Sequence, residues 1–221
     1  MKKKVRNNKV ILASILALGC LTAASVGFSS WVIAAQGTSK TSNVNVTVAD
    51  VEDHRFNVEA SSDSKIILGP STNGKYISCS GEPEEALNFN FKLKFTAIGG
   101  SEEFDFTSLG GQSFDIKFSF TNIDKLKIND NVNEYIKFPS GTIGTISKSG
   151  FTPSSGVTAT QSSNVITYNG ELAWGSYFGG KNPSEVTDST KADSYITKLK
   201  DLKSKLANQK LEITVNIDKA V

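Results

Sequence analysis

Apolar and polar residues alternate with a period of two in four segments of this chain. The clearest segment covers residues 87–95, where every second residue is Leu or Phe and the residues between them are Asn or Lys. Such alternation predicts β-strands with one buried face and one solvated face. The other three segments are residues 44–48, 114–120 and 211–217. Because half-buried strands need a second apolar layer, we predict an all-β fold, a two-layer antiparallel β-sandwich of jelly-roll or immunoglobulin-like character.

Shorter patterns complete this prediction. Further strand candidates are residues 65–68, 75–79, 104–107, 135–138 and 165–168. The pairs Gly99-Gly100 and Gly110-Gly111 predict chain reversals, because glycine adopts positive φ without steric cost. Residues 139–163 contain 18 Gly, Pro, Ser or Thr in 25 positions, which predicts an exposed loop with at most a weak hairpin near residues 142–147.

One segment near the C-terminus has a helical period instead. Between residues 191 and 208 the apolar residues recur at spacings of three and four, which predicts one amphipathic helix over about residues 190–208. Ser189 or Thr190 is the expected N-cap. We expect the lysines of the later turns to form a solvated face. They are Lys198, Lys200, Lys203 and Lys205.

The start of the chain is typical of an export signal. Five basic residues within residues 2–9 precede 26 uncharged positions, and the segment ends in small residues. We predict cleavage by signal peptidase between Ala35 and Gln36, which leaves a single β-sandwich domain of residues 36–221, secreted or at the cell surface. Two alternatives stay open. The segment exceeds the roughly 20 residues of a membrane span and could be retained as an anchor, and Leu18-Gly19-Cys20 resembles a lipobox, whose cysteine is acylated.

Removing this leader reverses the sign of the net charge. All five of its charged residues are basic, so the mature chain has 19 Lys and Arg against 22 Asp and Glu, a net charge of about −3. This balance argues against a nucleic-acid partner. Cys79 is the only cysteine left after Cys20, which excludes an intramolecular disulfide, and its place in a strand candidate predicts a buried thiol.

Two polar runs are candidates for a metal site. Asp50, Glu52 and His54 would share a face if the strand of residues 44–48 continued, but the change from valine to charge indicates instead that this strand ends in an exposed turn. The second run is rich in the oxygen ligands that Ca²⁺ accepts, although turn formation explains such residues equally well. Its ligand candidates are Asp130, Asn131, Asn133 and Glu134. The chain has one histidine, which excludes histidine-rich zinc chemistry. We expect no cofactor, with Ca²⁺ as the alternative.

Aromatic residues and glycines are concentrated in residues 172–183. Trp174, Tyr177 and Phe178 could form an exposed platform on which a sugar or a peptide stacks. The alternative, which we favour, is a glycine-shaped turn whose rings plug one end of the sandwich.

The N-terminal residues resemble a known group of exported proteins. Lys2-Lys3-Lys4, the leader sequence Gly27-Phe28-Ser29-Ser30-Trp31 and the valine-rich strand after Lys40 are similar to the TasA and camelysin group of Gram-positive bacteria. The specific likeness covers about the first 50 residues. It implies a leader processed by a dedicated signal peptidase and a β-sandwich that assembles into biofilm matrix fibres. Camelysin has been regarded as a metalloprotease, but this chain has no His-Glu-x-x-His motif.

Together these patterns lead us to expect an exported structural protein of the cell surface or extracellular matrix, without enzymatic activity. Fibres would form if the strand carrying Val44, Val46 and Val48 paired with the sheet edge of a neighbouring subunit. The alternative function is a binding module or adhesin that holds a glycan or a host protein through the Trp174 region or residues 139–163. A metalloprotease is the third and disfavoured class.

Overall fold

The structure is a computed structural model that describes residues 41–51, 55–69, 71, 84–99, 101–126, 132–207 and 211–221. It confirms the predicted all-β sandwich. The larger sheet contains six strands, which are β1 (Thr41–Val51), β3 (Lys65–Ile67), β5 (Phe114–Phe120), β7 (Gly141–Ser147), β8 (Gly150–Pro153) and β12 (Leu211–Lys219). Their order across the sheet is β3-β1-β12-β5-β7-β8.

A four-stranded sheet forms the second layer. Its strands are β2 (Phe56–Ser61), β4 (Asn88–Ala97), β9 (Thr158–Ser162) and β10 (Val165–Glu171), in the order β2-β4-β10-β9. A small third sheet pairs β6 (Ile136–Lys137) with β11 (Ala173–Trp174). In the described ranges, five short 3₁₀ helices connect these strands, namely Phe106–Leu109, Ile123–Leu126, Val132–Glu134, Ser176–Phe178 and Pro183–Glu185.

The core lies between the two large sheets and is rich in phenylalanine. Phe91 of β4 and Phe118 of β5 are 0 % and 6 % exposed, and their ring centroids are 5.8 Å apart across the two layers. Tyr168 of β10 packs against the same Phe118 at 4.8 Å. Strict alternation thus placed the large apolar residues on the inner faces, as the sequence predicts.

One strand pair departs from the antiparallel prediction. β1 and β12 run parallel, with Val44 opposite Leu211, while the other paired strands that the structure describes are antiparallel. Parallel strands need a long connection between them. Here almost the whole domain lies between β1 and β12, the first and last described strands.

Residues 139–163 are not the loop that their composition predicts. They contain β7, β8 and β9, and Ile143 and Ile146 of β7 are completely buried. Gly144 belongs to this strand because β8 crosses very close to it. A Cβ at Gly144 would lie 2.4 Å from both the Phe151 ring and the Thr152 carbonyl oxygen. The composition was misleading because threonine, abundant here, is also a good strand former.

Two further local predictions were partly wrong. Residues 104–107 do not form a strand, because the Asp105 carboxylate accepts a hydrogen bond from the Thr107 amide at 2.9 Å and starts the 3₁₀ helix Phe106–Leu109. The strand expected at residues 135–138 is only the two-residue β6. Gly110 has φ +61°, which supports the predicted reversal there. The candidate strand at residues 75–79, with Cys79, lies outside the described residues.

The predicted helix, α1, extends over Ser189–Ala207. The N-cap of this helix is Asp188 instead of Ser189 or Thr190. Asp188 Oδ1 accepts a hydrogen bond from the Thr190 amide at 2.9 Å. Lys203 is only 5 % exposed, so the expected solvated lysine face does not include it. Lys198 is half-buried, with its ammonium group 5.8 Å from the centre of the Tyr135 ring.

Candidate functional site

The aromatic group of residues 172–183 lies at one end of the sandwich beside α1. Trp174 and Phe178 are 5 % and 4 % exposed, and their rings make an edge contact at 5.4 Å. Phe178 also contacts Tyr195 of α1 at 5.2 Å, and the half-buried Tyr177 contacts Tyr135 at 5.0 Å. A platform for sugar stacking needs an exposed ring face, and Trp174 and Phe178 are instead packed into this end of the sandwich. Ligand binding by this region stays a prediction.

A polar network holds this aromatic group in place. The Trp174 indole N–H donates to Glu85 Oε1, and Asn182 Nδ2 donates to Glu85 Oε2 at 2.8 Å. The same amide group donates to the Gly69 carbonyl at 3.0 Å, while Asn182 Oδ1 accepts a hydrogen bond from the Ser184 amide at 2.8 Å. The side chains of Glu85 and Asn182 thereby connect the chain near residue 69 and residue 85 to residues 174–184. Sequence reasoning missed Glu85 and Asn182, because no local pattern marks a pair separated by 97 positions.

Burial and hydrogen bonding shift the pKa of the Glu85 carboxyl group in opposite directions. Burial raises its pKa above the ordinary value of 4.5, and the nearby Glu185 and Glu171 carboxylates raise it further. The hydrogen bonds from Asn182 and Trp174 act in the opposite direction without reversing the increase in pKa. A cleft of about 480 Å³ opens beside this group, lined also by Leu87, Leu172 and Lys181. With both carboxylate oxygens accepting hydrogen bonds from buried donors, the arrangement is suited to a structural link.

For neither predicted metal site does the structure describe the complete set of ligands. β1 continues to Val51 and does not end after Val48, so the predicted end of the strand was wrong. A bulge between Val48 and Asp50 places Asp50 opposite Asn216 and returns Val51 to the apolar row, opposite Ile217. The bulge interrupts the regular alternation of β1 on which the shared-face hypothesis depended. Glu52 and His54 lie outside the described residues.

In the calcium hypothesis, Asp130 and Asn131 also fall outside the described ranges. Asn133 and Glu134 are exposed and belong to the 3₁₀ helix Val132–Glu134. Among the residues with described positions, no three His, Cys, Asp or Glu side chains are placed to hold a metal ion together. Calcium binding by this run stays a prediction.

The strand proposed for self-association is built into the larger sheet. Val44 is 2 % exposed, whereas Val46 and Val48 are half-buried against the core. They lie opposite Leu211, Ile213 and Val215 of β12, respectively. On the other side of β1, the ladder with β3 covers only residues 41–43. Among the described residues, the part of β1 after Val44 is paired only with β12, while the Val44 amide donates to the Ser64 carbonyl on the other side at 3.1 Å.

No family model matches this chain, and no curated protein or solved structure is significantly similar to it. Within the part of the chain that the structure describes, no helix has both the length and the apolar character needed to cross a membrane. The predicted leader and its cleavage site, between Ala35 and Gln36, precede the first described residue.

Proposed function

We propose that this chain is an exported structural protein of the cell surface or extracellular matrix that assembles by exchanging its first strand. The observation that supports the proposal is the position of β1. It joins the sheet mainly through parallel pairing with β12, and its ladder with β3 is only three residues long. After cleavage before Gln36, β1 would follow a tether of five residues, so it could leave the sheet without unthreading the chain.

After exchange, β1 would keep most of the contacts that it makes within its own subunit. Burying a valine side chain fully stabilises a fold by about 1.5–3 kcal/mol. Val44 reaches that limit, and the half-buried Val46 and Val48 contribute less. The β1 strand of a neighbour would offer β12 the same valines in the same register. Its association must still overcome the loss of translational and rotational freedom. The contact is head-to-tail and does not close, so the expected product is a fibre.

Deleting residues 36–48 tests this mechanism. The shortened chain should form no fibres by electron microscopy, yet should join full-length chains as an acceptor at one end. Deleting only residues 36–40 is the matched control for the missing tether. If the shortened chain is poorly folded alone, adding a peptide of residues 41–51 should restore its unfolding transition. Fibres of undiminished length from the chain without residues 36–48 would contradict the mechanism, and a full-length mature chain that stays monomeric would contradict the function.

A further inference from the structure

A second cleft, of about 530 Å³, lies at one corner of the four-stranded sheet. It forms because β9 is shorter than its neighbour. The pairing of β9 with β10 ends at Thr158 opposite Asn169, whereas the pairing of β10 with β4 continues to Glu171 opposite Asn88. Gly156 and Val157 close the side on which β9 is missing. The cleft is lined by the four-stranded sheet and the residues just before β9, and it does not include β1; it shares Asn88 and Glu171 with the cleft beside Glu85.

Asparagine side chains supply most of the polar groups in this cleft. Asn90, Asn169 and Thr158 occupy one row across three neighbouring strands, and Asn88 lies one row further, opposite Glu171. None of the three asparagine side chains has a hydrogen bond to another residue that the structure describes. Each amide offers both a donor and an acceptor. Their hydrogen-bonding groups are thus available to a ligand.

The most informative side chain in the cleft is Tyr168. It is 8 % exposed, and its ring packs between Phe91 at 5.1 Å and Phe118 at 4.8 Å. Burial raises the pKa of its hydroxyl group. Within the described ranges, that hydroxyl makes no hydrogen bond to protein. The residue as a whole is largely buried, and its hydroxyl group can both donate and accept a hydrogen bond that no described residue supplies. Since Tyr168 lines the cleft, the missing partner can be supplied from there.

From this geometry we propose that the cleft binds a neutral sugar unit. Amide and hydroxyl groups that both donate and accept hydrogen bonds complement the hydroxyl groups of a sugar ring. The half-buried Val157 adds apolar surface for its C–H groups. The volume is within the range of roughly 300–1,000 Å³ found for small-ligand pockets.

Charge and backbone geometry favour a sugar over other ligand classes. Glu171 is the only charged residue among those that line the cleft, so an anionic ligand would meet repulsion without a compensating Lys or Arg. A peptide that adds a strand needs several successive free backbone groups. Here β10 extends beyond β9 only by Gly170 and Glu171.

Gly170, which lines the cleft, lies directly against two buried aromatic rings. A Cβ at this position would lie 2.6 Å from the Phe89 ring and 2.7 Å from the Tyr168 ring. Any side chain here would have to displace these two rings. The glycine therefore lets β10 pass close to both of them at the edge of the cleft.

NMR titration of the mature chain, residues 36–221, with glucose, galactose, mannose and N-acetylglucosamine tests the proposal. We expect at least one of these sugars to shift the amide signals of Val157, Thr158, Asn169 and Gly170 saturably, with a Kd of roughly 1 mM. Asn169→Ala should weaken that binding about tenfold, the equivalent of one good hydrogen bond. Asn57→Ala, at an exposed asparagine of β2 in the same sheet, should leave it unchanged.

Tyr168→Phe separates binding from folding. It removes only the hydroxyl group and keeps the ring contacts with Phe91 and Phe118, so the midpoint of thermal unfolding should not fall while sugar binding weakens severalfold. The proposal is overturned if none of the four sugars shifts the cleft amides, or if Asn169→Ala and Tyr168→Phe bind as tightly as the unaltered chain. The titration is done on unassembled protein, so its result does not depend on whether fibres form.

Discussion

Replacing Glu85 should have a large effect on stability, because this carboxylate accepts hydrogen bonds from two buried donors. Trp174 and Asn182 are 5 % and 4 % exposed, and both donate to Glu85. Glu85→Ala leaves the Trp174 indole N–H without its acceptor and removes one of the two acceptors of the Asn182 amide. A buried polar group left unsatisfied costs about 1–3 kcal/mol. We therefore expect a loss of about 2–5 kcal/mol in the free energy of unfolding.

Glu85→Gln separates the contribution of the hydrogen bonds from that of the buried charge. The glutamine carbonyl can accept one of the two hydrogen bonds, but its NH₂ group must then face the other donor. Asn182 cannot rotate to correct this, because its Oδ1 accepts from Ser184 and its Nδ2 also donates to Gly69. Against this loss, a neutral amide avoids the burial of a charge next to Glu185 and Glu171. We expect a net cost smaller than that of Glu85→Ala.

The difference in the free energy of unfolding between the unaltered chain and Glu85→Gln should depend on pH, which tests the raised pKa of Glu85. The pKa of Glu85 is raised in the folded chain, so the folded state holds the proton more tightly than the unfolded state does. As pH falls from above the folded pKa towards the ordinary value of 4.5, the unaltered chain should gain stability relative to Glu85→Gln. Below 4.5 the gain is complete, and as pH rises through the folded pKa it is lost.

Urea unfolding followed by tryptophan fluorescence measures these effects, since Trp174 is the only tryptophan outside the leader. Glu84→Ala, at the exposed neighbouring position, is the matched control and should change stability by less than about 0.5 kcal/mol. A loss below about 0.5 kcal/mol for Glu85→Ala would refute the network as a structural link. A difference between Glu85→Gln and the unaltered chain that does not vary with pH would refute the raised pKa.

Three further predictions concern packing and processing. Phe91→Ala and Phe118→Ala should each lower the free energy of unfolding by about 3–5 kcal/mol in urea titrations, because both rings are buried at the sheet interface; a loss below about 1 kcal/mol would show that the interface is assigned wrongly. Gly144→Ala should cost about 1–3 kcal/mol by overpacking, whereas Gly111→Ala, with no atom within 4 Å of its Cβ, should be nearly neutral. N-terminal sequencing of the exported protein should begin at Gln36, and an intact leader or an acylated cysteine would contradict this cleavage.

Features with a strictly local pattern could be predicted from the sequence. Every second residue of β4 and β5 is large and apolar, so their buried faces follow from period two alone. The helix at Ser189–Ala207 follows in the same way from a spacing of three and four. Its Asp188 cap lies one residue before the expected position, a displacement that the uncertain ends of helices make common.

Features that depend on distant partners could not be predicted. The strand containing Ile143 and Ile146 is buried through its pairing with β5 and β8, and a composition rich in Gly and Ser hides those distant partners. The parallel pairing of β1 with β12 and the link from Glu85 to Trp174 join residues far apart in the chain. In the cleft, Tyr168 has an ordinary core position in its strand pattern. Only the early end of β9 gives it a functional interpretation.

Strand exchange and sugar binding are proposed for different sheets, so one fibre could carry out both. Strand exchange uses β1 and β12 of the larger sheet, while the lining of the sugar cleft comes from β4, β9, β10 and the residues next to them. Assembly would therefore leave the cleft of every subunit unused by the fibre contact. A site with roughly millimolar affinity for one sugar unit is weak alone, but repeated along a fibre it can hold a polysaccharide through many simultaneous contacts. Fibres should then retain a long polysaccharide that the monomer releases, and Asn169→Ala fibres of normal length should lose this retention.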